Sequence, residues 1–81
     1  MSFRKLKSPR IAKYGFKIIL GNDDIHFMEV CSVLAYLPRD QVIIRQKQNM
    51  GNLIIDIYSN NVNMNRLLNN EFTEIFGENN G

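Results

Sequence analysis

The sequence predicts a small α+β domain in which two helices pack on one face of a three-stranded antiparallel or mixed sheet, in the order β-α-β-β-α. Two patterns support this prediction. Residues 14–20, 41–48 and 53–59 are rich in β-branched and aromatic side chains, whereas apolar residues recur every three or four positions over 24–37 and 60–76. A chain of 81 residues is long enough for one such domain and too short for a deep substrate cavity.

The first strand is expected at residues 14–20, where every second side chain is apolar and lies on one face. A glycine ends the strand, and Asn22 or Asp23 can supply the N-cap oxygen for a helix over residues 24–37. Pro38 ends that helix, because proline has no amide hydrogen with which to continue the hydrogen-bond ladder.

A β-hairpin is the clearest local feature of the sequence. The strands at residues 41–48 and 53–59 flank a four-residue loop at 49–52. Gly51 in this loop can take a positive φ without steric cost, which is typical of hairpin turns.

The last predicted element is a helix over residues 60–76, which Gly77 ends. Its N-cap is expected at one of the polar residues Ser59, Asn60 and Asn61. The predicted domain organisation is a basic N-terminal arm at 1–13, a single α+β domain at 14–77 and a disordered tail at 78–81.

The three strands form one sheet if the third lies between the first and the second, antiparallel to both. This arrangement resembles a ferredoxin-like fold lacking the last strand, and the resemblance is one of architecture that implies no function. It leaves the first strand at an edge with unpaired backbone groups. Either residues 3–6 fold back over that edge, or a partner or a second copy of the chain pairs with it.

Alternation along the strands assigns each side chain to one of two faces. The side chains expected to face the helices are Phe16, Ile18, Leu20, Val42, Ile44, Leu53, Ile55 and Ile57. The opposite face then holds an apolar patch of the kind that binds partners. The candidate partner-binding residues are Ile19, Ile43, Ile54 and Tyr58, with the three isoleucines expected side by side on neighbouring strands.

Basic residues suggest a different use. They are concentrated in residues 1–17, which contain no acidic residue, and each one that neutralises a phosphate adds salt-dependent affinity. The alternative function is therefore nucleic-acid binding through Arg4, Lys5, Lys7, Arg10, Lys13, Lys17, Arg45 and Lys47. Two simpler interpretations remain open: the arm is a solvated terminus, or residues 3–13 cover the second face of the sheet.

The spacing of the reactive side chains does not support an enzyme. Cys31 and His26 lie five residues apart on the predicted helix, so their side chains diverge and form no nucleophile and base pair. Cys31 suits a small core residue, and Asp23 and Asp24 suit helix capping. We therefore expect no catalytic residue, metal site, cofactor or small-molecule substrate.

The composition gives a hint of origin and location. The sequence contains 11 Asn and 10 Ile, which is the usage that an AT-rich genome produces and that many phages share. One cysteine, no signal-peptide pattern and no apolar run of about 20 residues favour a cytoplasmic protein without membrane insertion. The sequence thus suggests a small accessory or regulatory protein, of a kind that phages encode, which binds another protein or forms a homodimer.

Overall fold

A computed structural model describes residues 2–21 and 24–77. The elements of these residues are β1 (Ser2–Lys5), β2 (Tyr14–Gly21), α1 (Phe27–Tyr36), β3 (Ile43–Asn49), β4 (Asn52–Ser59) and α2 (Val62–Phe76). The strands form one sheet in the order β1-β2-β4-β3, and all neighbouring strands are antiparallel. The predicted α+β class with two helices is confirmed, and β4 lies between β2 and β3 as expected.

The prediction of three strands is wrong, because β1 adds a fourth strand beside β2. Of the alternatives for the edge of the first strand, the structure shows the one in which the N-terminal residues fold back over it, and the ring of Phe3 is buried in the core. It stacks on Phe16 with ring centroids 5.5 Å apart and lies 5.4 Å from the ring of Phe72. The position left vacant in the expected sheet is therefore filled by the N-terminal segment, which covers the edge of β2.

The core lies between the sheet and the two helices. Its buried members are Phe3, Phe16, Ile18, Leu20, Val30, Val33, Leu34, Leu37, Val42, Ile55, Ile57, Met64, Leu68 and Phe72. Ile44 and Leu53 are partly buried and pack against this cluster. All eight side chains that the alternation assigns to the helix-facing side are therefore found there, and the predicted assignment of faces is confirmed.

The beginning of α1 differs from the prediction. The helix starts at Phe27 rather than at residue 24, after a turn in which the His26 amide donates to Asp24 Oδ1 at 2.9 Å. The expected cap at Asn22 or Asp23 lies outside the described residues. The helix ends at Tyr36, two residues before the proline that was expected to end it.

The start of α2 agrees with one of the expected caps. Asn61 Oδ1 accepts hydrogen bonds from the amides of Asn63 at 2.8 Å and Met64 at 3.2 Å. At the other end, Gly77 has φ +87° and its amide donates to the Thr73 carbonyl. The predicted disordered tail at 78–81 lies outside the described residues.

The hairpin between β3 and β4 is tighter than predicted. Asn49 pairs with Asn52, so only Met50 and Gly51 form the turn. Their φ values of 52° and 81° are both positive, as in a type I′ turn. This turn sets which residues of β3 and β4 lie opposite each other. Among the described residues, no helix is long and apolar enough to span a bilayer.

Candidate functional site

The sheet has one face that is turned away from the helical core, and we call it the open face. Its side chains form rows that run across the strands from β1 to β3. The first row consists of Ser2, Ile19, Ile54 and Lys47. The second row, which we call the charged stripe, consists of Arg4, Lys17, Asp56 and Arg45. The third row consists of Gly15, Tyr58 and Ile43. Beyond the first row, the face ends at the hairpin turn with the uncharged residues Gly21, Asn52 and Asn49.

One apolar pair lies on each side of the charged stripe. Ile19 is directly opposite Ile54, and Ile43 is directly opposite Tyr58. The expectation that all three isoleucines are adjacent is thus correct only for Ile19 and Ile54. Ile43 lies beside Tyr58, which is four positions after Ile54 on β4. Four positions correspond to about 13 Å in an extended strand. The cause is the register of the hairpin, which the expected loop at 49–52 and the observed turn both give, since each leaves Gln48 opposite Leu53.

The two pairs differ in how they are covered. Leu6 and Tyr58 both lie over Gly15, and the Leu6 amide donates to the Gly15 carbonyl at 2.9 Å. The connection after β1 therefore covers part of the third row, at the Tyr58 end of the open face. Ile19 and Ile54 are half-buried but belong to no part of the core cluster.

The charged stripe is loosely paired. Lys17 Nζ lies 3.9 Å from Asp56 Oδ1, which is beyond hydrogen-bond distance. Asp56 Oδ1 is buried and accepts no hydrogen bond from the described residues. Arg4, Arg45 and the neighbouring Lys47 are exposed. The open face thus has four cationic side chains and one carboxylate.

The structure does not bring all eight candidate nucleic-acid contacts together. Four of them, Arg4, Lys17, Arg45 and Lys47, lie on the open face. Lys5 is in register with Phe16 and so belongs to the opposite side of the sheet. The other three lie in the connection between β1 and β2, and they are Lys7, Arg10 and Lys13.

The surface between the helices has the opposite charge. A groove of about 340 Å³ lies there, with Glu29, Glu71 and Glu74 around Tyr36. Desolvation, followed by the negative charge of Glu71, raises the pKa of the Tyr36 hydroxyl above its ordinary value of 10. The helical side of the domain is therefore acidic where the open face is basic.

A second groove, of about 440 Å³, lies where β3 begins and β4 ends. Ser59 is its most buried polar residue. The Ser59 hydroxyl donates to the Gln41 carbonyl at 2.9 Å and accepts from the Asn61 amide at 3.0 Å. These bonds join the start of β3 to the start of α2, so Ser59 has a structural role.

Neither His26, directly before α1, nor Cys31 on α1 lines either groove. His26 Nδ1 is 3.0 Å from Glu29 Oε1, and the His26 ring meets the ring of Phe76 edge-on. Cys31 is a free, half-buried thiol. Within residues 2–21 and 24–77, no cluster of three potential metal ligands occurs.

Comparison with known proteins adds no relative to this picture. No family model matches the chain, and no curated protein or solved structure matches it significantly. The functional argument therefore depends on the geometry of the open face.

Proposed function

We propose that this chain is a small non-enzymatic accessory protein that acts by binding another protein through the open face. The observation that supports this proposal is the Ile19/Ile54 pair, which lies on the two central strands of a face turned away from both helices. Polar and charged side chains surround it: Ser2 and Lys47 lie in the same row, the charged stripe lies on one side and Asn52 lies on the other. An apolar centre with a charged rim is the usual anatomy of a protein interface.

The face of the sheet suits binding better than its edges do. The edge strand β1 is four residues long and includes Arg4 and Lys5. The other edge strand, β3, includes Arg45 and Lys47. Short length and basic side chains are the features by which proteins prevent strand addition at an edge.

A partner different from the chain itself suits the open face better than a second copy. Two copies packed face to face would bring two sets of four cations together, with only Asp56 of each copy to offset the repulsion. A homodimer through this face is therefore disfavoured.

Affinity capture with two matched double variants tests the proposal. Ile19→Thr with Ile54→Thr removes the apolar pair and keeps β-branched side chains suited to a strand. Met28→Gln with Val62→Thr removes two exposed apolar side chains from the helices instead. In lysate of the cells that encode the protein, wild type and the helix variant should retain the same partner, and the open-face variant should lose it. Equal retention by all three proteins, or no retained protein, would contradict the proposal.

Nucleic-acid binding is the second candidate, favoured by the four cations that β1, β2 and β3 place on one face. Two features weigh against it: the carboxylate of Asp56 lies within the charged stripe, and Tyr58 is the one aromatic residue of the three rows. Fluorescence anisotropy with labelled single-stranded RNA, single-stranded DNA and duplex DNA tests it. Binding at low salt that disappears towards roughly 200 mM salt would support this candidate.

A further inference from the structure

We infer that the open face binds an acidic polypeptide segment, in which a carboxylate side chain is flanked on both sides by apolar side chains. This recognition presupposes the protein-binding function proposed above and specifies the chemistry of the partner. The three-row arrangement of the open face leads to this inference.

The first step is the spacing of the rows. Along each strand, neighbouring residues of the same face are separated by roughly 7 Å. On β4 the order is Ile54, Asp56, Tyr58, and on β3 it is Lys47, Arg45, Ile43. The charged stripe therefore runs between two apolar pairs, and a complementary ligand places its charge between two apolar groups.

The second step is the sign of the charge. Arg4, Lys17 and Arg45 occupy three of the four positions of the charged stripe, and Lys47 lies next to it. The 3.9 Å separation between Lys17 and Asp56 leaves the lysine ammonium free to donate to a new acceptor. Opposite charge is what selects a partner and fixes its register on such a surface.

The third step separates a polypeptide from a nucleic acid. Every repeat of a phosphate backbone carries a negative charge, so a nucleic acid that crosses the charged stripe is repelled by the Asp56 carboxylate. A polypeptide can separate its carboxylates by uncharged residues and so place one over Arg45 without placing another over Asp56. The Ile19/Ile54 pair is aliphatic and suits an apolar side chain better than a stacked base.

The spacing also limits the form of the ligand. In an extended segment, side chains two residues apart on one face are separated by roughly 7 Å. In a helix, side chains four residues apart are separated by about 6 Å along the axis. Over the boundary between β3 and β4, both forms can place a carboxylate near Arg45 and an apolar side chain near each of Ile54 and Tyr58. The expected patterns are apolar, acidic and apolar residues at a spacing of two or of four.

Selection from a random peptide library provides the test. The full chain is immobilised, a yeast-displayed library of 16-residue peptides is selected against it, and enriched peptides are resynthesised for anisotropy measurements. Arg45→Gln with Lys47→Gln removes two cations from the open face. Lys5→Gln with Arg66→Gln removes one exposed lysine and one exposed arginine that lie off the open face, and it is the control with the same net charge.

The inference expects enriched peptides with the acidic and apolar pattern. Their affinity should fall roughly tenfold with the Arg45 and Lys47 variant and by less than about twofold with the control. It should also fall with Ile19→Thr and Ile54→Thr.

Three other results would overturn the inference. Uncharged peptides that need Ile19 and Ile54 but not Arg45 and Lys47 would overturn it and leave the proposed function intact. Acidic peptides that are insensitive to Ile19→Thr with Ile54→Thr would overturn both. Recovery of no peptide, together with RNA binding that depends on Arg45 and Lys47, would identify a nucleic-acid surface instead.

Discussion

The ring of Tyr58 on β4 lies across Gly15 on β2. A Cβ atom built on Gly15 would stand 3.0 Å from Tyr58 Cδ1 and 3.3 Å from Tyr58 Cε1, closer than ordinary van der Waals contact. The same Cβ would stand 3.1 Å from Leu6 Cδ1. Gly15 is therefore required for close approach of its neighbours, and its missing side chain lets the ring cover the strand backbone.

Gly15→Ala should consequently lower the free energy of unfolding, by roughly 1 to 3 kcal/mol, because the added methyl group overpacks the site. In a Tyr58→Ala background the same substitution should cost less, since the ring is gone and only the contact with Leu6 Cδ1 remains. Urea denaturation of the wild type, the two single variants and the double variant measures the coupling. Equal effects of Gly15→Ala in both backgrounds would show that the ring is not the obstacle.

Two neighbouring residues on β3 should lose very different amounts of stability when each is replaced by aspartate. Ile43 lies on the open face with 46% of its surface exposed, whereas Ile44 packs against the core. Ile43→Asp should cost less than about 1 kcal/mol, mainly through lower strand propensity. Ile44→Asp should cost several times more, because it buries a carboxylate against the core. Thermal unfolding of both variants measures the two costs. A larger loss of stability with Ile43→Asp would mean that the two faces of the sheet are assigned the wrong way round.

A substitution in the turn of the hairpin should stabilise the protein. Met50 has φ 52° and is 94% exposed, so it is held in a left-handed conformation without packing in return. Met50→Asn should raise the free energy of unfolding by about 1 kcal/mol, because asparagine tolerates this conformation better. The matched control is Gly51→Ala, which places a side chain at φ 81° and should lower stability. A melting temperature that does not rise with Met50→Asn would contradict the type I′ assignment.

The N-terminal strand should be essential to folding. Phe3 contacts Phe16 and Phe72 and also stacks on Phe76 with centroids 6.1 Å apart. Phe3→Ala should cost about 3 to 5 kcal/mol, which approaches the whole stability expected of so small a domain. Its neighbour provides the control, since Arg4 is exposed and Arg4→Ala should change stability by less than about 0.5 kcal/mol. Circular dichroism that shows a folded Phe3→Ala variant with an unchanged melting point would refute the structural role of β1.

The sequence by itself determined the class of the fold and the two faces of its sheet. Period-two alternation identified the helix-facing residues of β2, β3 and β4, because a shift of one residue would have turned the core-facing side chains of a strand towards solvent. Helical stripes located α1 and α2, and Asn61 was among the caps expected from side-chain chemistry alone.

Only the tertiary structure decided the role of the N-terminal segment and the layout of the open face. A single phenylalanine beside two charged residues forms no periodic pattern, and its burial could not be predicted from one. The ring of Phe3 is buried because β1 pairs with the edge of β2 and because rings from α2 pack on it. Likewise, strand alternation places Ile19, Ile43 and Ile54 on one face but says nothing about their order across strands. The hairpin sets Ile43 beside Tyr58, and the pairing of β2 with β4 sets Ile19 beside Ile54 next to the charged stripe. The pairing of β2 with β4 joins residues far apart in the sequence, and a local pattern cannot fix it.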